Sequence, residues 1–572
     1  MEGSSKGRAL GPSSDPCHVA PASCVKLAMS DWPPVNDVPS GYATCIRRTP
    51  EEQSKRLFRD TWSAMPKLPG LLRPRFTLRY VLTALAVTYF GSCLLFGMPL
   101  LSSKLPPHTG EYKVGTIDLE VPVEPRRVAD AKFKVNGQPA FELQTVLISL
   151  FYPAVKEAVA TKPKHLWVSK PLSLTGEGYA KFAGIQSSVV NGIFTAGLWT
   201  LVGGLEIAAD VDIPLHGTVK GYQDYDAEHP LDDYGLPQFP VYVFSHGMAS
   251  SRTDYTHYCS ELASRGYIVA AIEHRDGSGP GSTIMKVNGT SSIRFHFNPD
   301  ELDPVPDIAD MKAMQLAFRE AEIEETVKVL RRLNDGHGHE LYEQNPRGEG
   351  VDLPAWRGRL TMDRMVLGGH SYGATGALQA LKNAPCPERP FVGGIILDPG
   401  KQSGPLNDDI AVPIIIIHSN SWSKEHTVFH GRPHFDVVKD IALKVLDKQK
   451  KFAWFMTSIG TTHPSVTDAP LIQPMLLSWT TGATIDVKDG VKAYVGASTD
   501  FLEYLGTGYR GGVLKEEVTH PRYDEDVRSE DRKINMDQEV AKNFQIHVAP
   551  STACAAPGLC GVWPDRAGRP GS

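Results

Sequence analysis

The hydrophobic pattern of this chain changes period several times, and each change marks an element. Phe239 to Phe244 is a short apolar run that enters a Ser-His-Gly turn. Asp254 to Gly266 then reads as a helix and Tyr267 to Ile272 as a second apolar run, which together predict a βαβ unit. Further runs of strand length lie at Val392 to Leu397, Val412 to Ile417 and Lys451 to Ile459, and each ends in polar residues. Between these groups, Asp307 to Leu333 carries Leu316, Ile323, Val327 and Leu330 on one helical face and stops at Asn334-Asp335-Gly336. Upstream, Tyr112 to Val121 and Glu142 to Tyr152 read as strands. Residues 153–233 mix Gly and Ser with apolar patches such as Ile193 to Val202, and predict helices near the mouth of a site without fixing their bounds. Downstream, Asp486 to Leu505 predicts an amphipathic helix packed on the sheet.

Strands alternating with helices in this order predict a mostly parallel sheet with helices on both faces, the α/β-hydrolase fold, over residues 104–510. The pattern fades at both ends. Residues 1–79 are rich in Pro, Ser and Gly with scattered basic charge and predict a disordered N-terminal region, and 511–572 predict a poorly ordered tail. Tyr80 to Leu101 carries no charge and exceeds the roughly 20 residues needed to cross a bilayer, so it predicts a transmembrane helix. Arg73, Arg75 and Arg79 crowd its N-terminal flank. That asymmetry predicts a single-pass type II protein with the catalytic domain luminal or extracellular. The sequon Asn288-Gly289-Thr290 agrees with that orientation.

Composition narrows the function. A hydrophobic content of 41% is that of a globular protein, and 59 basic against 65 acidic residues leave no basic field to attract nucleic acid, which is excluded as a partner. Eight cysteines without a CxxC pair indicate neither a zinc site nor a disulfide framework. No cofactor is implied.

The candidate chemistry starts at Gly369-His370-Ser371-Tyr372-Gly373, a Gly-x-Ser-x-Gly pentad between the apolar run at Val366 and a helix-like segment from Ala374 to Asn383. It reads as a nucleophile elbow. A serine hydroxyl attacks poorly at neutral pH, so it needs a base to take its proton and an acid to orient that base. The fold delivers them in the chain order Ser, acid, His, which Ser371, Asp398 and His463 satisfy. His418 is the rival base because it also ends a strand, and Asp276 and Asp408 are alternative acids. His463 is preferred because it follows the last long apolar run. His370, next to the nucleophile, is expected to pack beneath the elbow. Backbone N–H groups of Met248 and Tyr372 are the candidates for an oxyanion hole. Glu273-His274-Arg275-Asp276, at the end of a strand, are expected to hold a loop by ion pairs in preference to touching substrate.

Taken together, Phe244 to Met248, Arg252-Thr253, Leu262 to Ser264, Gly266 to Asp276, the elbow and Gly394 to Asp398 resemble the plasma-type (group VII) platelet-activating-factor acetylhydrolases, most clearly over Pro240 to Asp468. The resemblance implies calcium-independent hydrolysis of the sn-2 ester of glycerophospholipids bearing an acetyl or other short acyl chain, with phospholipid and membrane as partners. It also implies Ser371, Asp398 and His463 as the triad, with Met248 and Tyr372 as oxyanion donors. Two positions depart from the pattern: Pro399-Gly400 stands where animal members carry a bulky aromatic, and Gly373-Ala374 where two glycines are usual. In these departures the chain resembles a divergent, fungal-like branch of the family more than the animal members. The alternatives are a general carboxylesterase on soluble esters and a catalytically silent hydrolase-fold binding module.

Overall fold

The computed structural model describes residues 77–96, 101–185, 187–218, 236–424, 427–526 and 537–551. Ten strands form one sheet: β1 (Lys113–Arg127), β2 (Glu142–Ala154), β3 (Asp210–Val211), β4 (Phe239–Ser245), β5 (Ile268–Ile272), β6 (Leu360–His370), β7 (Phe391–Leu397), β8 (Ile414–Ser419), β9 (Ala453–Ser458) and β10 (Phe544–Val548). Their spatial order is β10-β9-β8-β7-β6-β4-β5-β2-β1-β3. From β9 to β5 all six neighbours run parallel, while β2 joins antiparallel to β5 and β10 antiparallel to β9. This is the α/β-hydrolase fold that the alternation of elements predicts.

Apolar residues on alternate positions of the central strands feed two cores, one on each face of the sheet. One face packs Ile323, Val327 and Leu330 of the helix Ile308–Asn334, Ala374 and Ala377 of the helix Tyr372–Ala380, and Val438 and Ile441 of the helix His434–Asp447. The other packs Leu262 of Thr256–Ala263 and Tyr494, Phe501 and Leu505 of Val487–Thr507. Parallel pairing then fixes the site. Gly369 on β6 pairs with Ser245 on β4 and with Ile396 on β7, and Leu397 pairs with Ile417 on β8, so the polar ends of four strands emerge side by side.

Two expectations need correction. The described part of the stretch expected to span a membrane lies in the helix Leu78–Phe96, and no helix among the described residues is long and apolar enough to cross one. Thr83, Thr88, Gly91 and Ser92 dilute the apolar run and Arg79 charges its start. The type II assignment, and the luminal or extracellular placement that rested on it, fall with the span. The second correction concerns the tail. Phe544–Val548, inside the segment expected to be poorly ordered, is strand β10 and is wholly buried. Its short alternation was outweighed in the sequence by the Gly, Pro and charge around it. The expectation of disorder over 1–76 and 552–572 lies outside the described residues. Helices at Leu172–Phe182 and Ser188–Val202 occupy the stretch that the sequence left without bounds.

Candidate active site

The turn after β6 places Ser371 at φ 56°, ψ −119°, a left-handed conformation that costs a non-glycine residue about 1–3 kcal/mol and persists only where neighbours enforce it. The neighbours are close. A Cβ on Gly373 would lie 2.0 Å from the Ser245 carbonyl oxygen, and one on Gly369 would lie 2.5 Å from the Gly373 backbone. Only glycine permits β4, β6 and the helix Tyr372–Ala380 to approach so closely. The crossing leaves the Ser371 hydroxyl at the carboxyl edge of the sheet.

Ser371 Oγ lies 3.0 Å from His463 Nε2, and His463 Nδ1 lies 2.9 Å from Asp398 Oδ2. The structure thus brings together three residues from β6, β7 and the loop after β9. Asp398 is buried at φ 47°, and its carboxylate accepts the Ser419 N–H at 2.6 Å and the Ser419 hydroxyl at 2.7 Å. The Ser421 hydroxyl accepts the His463 backbone N–H at 3.1 Å. The Trp422 indole stacks on the His463 ring with centroids 3.8 Å apart and planes within 9°. Ser419, Ser421 and Trp422 were not legible as site residues. The signal was a polar stretch after a strand that already offered His418, and only pairing with β7 shows what it supports.

His418 is fully buried, its Nδ1 lies 3.2 Å from the Ser423 hydroxyl, and burial holds its pKa well below the ordinary imidazole value. It does not join the constellation. His370 lies beneath the elbow with Nδ1 2.8 Å from the Tyr255 hydroxyl, and burial and the neighbouring His463 keep it neutral. His370, Asp398 and His463 are the one group of three possible metal-ligating side chains found among the described residues. Both ring nitrogens of His463 are already engaged by Ser371 and Asp398, so this donor set does not fit a metal.

Opposite the elbow, Gly247 packs so close that a Cβ there would lie 3.2 Å from Ser371 Cβ. Its N–H donates to the Tyr255 hydroxyl at 3.2 Å, and the Ala249 N–H donates to the Ser278 carbonyl at 2.9 Å. Met248 sits between these two pinned residues. Tyr372 is the first residue of its helix, where the N–H has no intrahelical acceptor.

Glu273, His274, Arg275 and Asp276 are all buried and paired: Glu273 with Arg252, His274 with Glu322, Arg275 with Glu120 and Asp276 with Arg319. Ser245 Oγ, His274 Nε2, His274 Nδ1 and Glu322 Oε2 even reproduce a serine–histidine–acid series, at 2.7 and 2.6 Å. All three side chains are sealed, so access distinguishes this set from Ser371, whose partner His463 is 29% exposed.

Burial depresses several histidines besides His370 and His418: His246, His257 and His434 to about 4, His547 to about 3, and His274 well below 6.5. As pH falls below about 6.5, the unfolded chain binds a proton at each of them and the folded chain refuses it, so these groups withdraw stability on acidification. Burial raises Asp254 to about 6, Asp468 to about 7 and Glu322 well above the carboxylate range. Those groups act in the opposite direction, since the fold retains protons that the unfolded chain has released above about pH 4. They are fewer. The expected result is a melting temperature that falls steadily between pH 7 and pH 5, measured in buffers of constant ionic strength; a flat or rising profile would refute the neutral-histidine account.

The fold and the site define an α/β-hydrolase carrying a serine–histidine–aspartate constellation at a nucleophile elbow. The sequence model of the family "Platelet-activating factor acetylhydrolase, isoform II" matches residues 100–511, and the chain belongs to that family. A platelet-activating factor acetylhydrolase of Canis lupus familiaris is 31% identical over 191 residues, covering 32% of this chain and 41% of the dog protein. One from Bos taurus is 24% identical over 278 residues, covering 47% and 58% respectively. The chain spans about half the length of these curated relatives. A ferulic acid esterase from Streptomyces cinnamoneus superposes with a TM-score of 0.44 at 18% identity, covering 73% of this chain and 96% of that one.

Proposed function

We propose that the protein is a calcium-independent serine esterase that hydrolyses the sn-2 acetyl or short acyl ester of glycerophospholipids through an acyl-enzyme on Ser371. The observation that carries this reading is the Ser371–His463–Asp398 geometry at the elbow of a chain in this family. His463 takes the Ser371 proton as Oγ attacks the ester carbonyl, and returns it to the departing sn-2 oxygen of the lysophospholipid. Asp398, fixed by two donors from Ser419, holds the tautomer with Nδ1–H toward itself and stabilises the imidazolium. The N–H groups of Met248 and Tyr372 receive the oxyanion. Water then enters by the same route in reverse and releases the short acid.

The substrate resides in an interface, and the surface suits docking to one. The helix Ser188–Val202 has no charged residue and exposes Val189, Ile193 and Trp199. The helix Pro474–Thr481 exposes Met475 at 87% and Trp479 at 83%, and its Thr481 hydroxyl is held 3.2 Å from that of Thr462, the neighbour of His463. Apolar surface of this kind on charge-free helices favours a phospholipid surface, with tryptophan at the headgroup level. Replacing Trp479 and Met475 by serine is expected to lower turnover of vesicle-borne substrate about tenfold, since two exposed apolar side chains that become buried on adsorption contribute ~1.4 kcal/mol or more. Turnover of a soluble ester should be unchanged; equal loss on both would place these residues in the chemistry and reject the docking role.

Release of the sn-2 group from phosphatidylcholines with acetyl, oxidised short or long chains, without added calcium, tests the assignment. Activity confined to acetyl and short chains supports it. Activity on soluble esters alone would favour a general carboxylesterase, and none at all a silent binding module.

A further inference from the structure

We infer that Trp422 is a positioning residue that locks the imidazole of His463 between its two hydrogen bonds; this rests on the function proposed above. His463 opens a 3-10 turn on a surface loop, where nothing in the local backbone fixes its ring. A base that must stay in line with Ser371 at 3.0 Å and Asp398 at 2.9 Å cannot be left to rotate. The tilted His370 ring lies 4.5 Å from the His463 ring, and the indole adds the nearly parallel contact, at 3.8 Å, that holds the plane of the imidazole.

The indole is itself clamped. Its Nε1–H donates to the Pro399 carbonyl at 3.0 Å, its backbone N–H donates to the Ser419 hydroxyl at 3.3 Å, and the Lys401 ammonium lies 4.4 Å from its ring centroid. Pro399 follows Asp398, and Ser419 is the residue that grips the Asp398 carboxylate. The contacts therefore close a ring: Asp398 to His463, His463 to Trp422, and Trp422 back to Pro399, which follows the acid, and to Ser419, which grips its carboxylate. Acid and base cannot drift apart without breaking the stack or the indole hydrogen bond. A tryptophan serving only as a pocket wall would need neither the coplanar stack nor the return bond to the acid loop.

The test compares Trp422→Leu and Trp422→Phe with the intact protein, reading kcat and KM on p-nitrophenyl acetate and the rate of Ser371 phosphorylation by diisopropyl fluorophosphate, with fluoride as leaving group. Trp422→Leu is expected to lower kcat and the phosphorylation rate together by about 10²-fold, the size of effect that a misplacement near 1 Å produces, with little change in KM. Trp422→Phe keeps a stacking ring and should recover most of both rates. If Leu does not fold, as judged by thermal unfolding, Trp422→Met takes its place. Unchanged phosphorylation with a raised KM would make Trp422 a pocket wall and overturn the inference, as would a Phe variant as impaired as Leu. Failure of the underlying reading looks different: Ser371 would then take up no diisopropylphosphoryl group, whatever stands at position 422.

Discussion

Replacing Ser371 by alanine is expected to lower kcat for sn-2 acetyl release by about 10⁴–10⁶-fold while leaving the melting temperature within a few degrees. The size follows from the arrangement. In the proposed mechanism His463 and Asp398 act only by moving the proton of the Ser371 hydroxyl, so without that oxygen the rest of the constellation has no nucleophile to activate. Any residual rate over water would come from substrate orientation and the oxyanion donors. The small effect on stability follows as well, because alanine inherits the same positive φ and the same close glycine neighbours. The measurement is acetate release from acetyl phosphatidylcholine by both proteins at matched concentration. An alanine variant that keeps a tenth of the activity would exclude Ser371 as nucleophile.

Arg319→Met is expected to destabilise the fold by about 3–5 kcal/mol, the cost of leaving a buried charge without its partner. Arg319 and Asp276 are both fully buried. The guanidinium donates to Asp276 Oδ2 at 2.8 Å, to the Ser278 hydroxyl at 2.7 Å and to the His246 carbonyl at 2.6 Å, and lies 4.6 Å from the centroid of the Tyr372 ring. One side chain thus ties the turn carrying Met248 to the loop after β5 and to the first residue of the elbow helix. Methionine fills most of the volume but satisfies none of these acceptors. Combining it with Asp276→Asn should return part of the loss, since the unpaired charge is then gone. Urea denaturation of the two variants and the double variant measures this. Independent, additive effects would show that the pair is not coupled.

The same cluster illustrates how far sequence reading reaches. Four polar residues at the end of an apolar strand were legible as a group, and ion pairing was the preferred role, but their partners lie at Glu120, Arg252, Arg319 and Glu322, on three other elements. No local spacing announces such pairs. The elbow was legible because its constraint is local: two glycines two residues on either side of a serine are needed for one turn. Asp398 and His463 were legible only through chain order, and order alone left His418 in contention. What separates them is where β8 and the loop after β9 end in space: His418 is buried under Phe455 and His434, whereas His463 meets Ser371. The apolar run at 80–101 misled because length and lack of charge were weighed above the polar residues diluting it.

By itself the sequence determined the alternation of strands and helices, the strained serine turn, and the set of acids and histidines from which a site could be drawn, because hydrophobic period and glycine placement act over a few residues. Tertiary structure alone decided which histidine reaches the serine, that Ser419 and Trp422 brace the acid and base, that a second serine–histidine–acid series is sealed from solvent, and that Phe544–Val548 closes the sheet edge. Those outcomes depend on strand order and register, which bring together residues far apart along the chain, and on burial, which decides whether a well-placed group can meet a substrate.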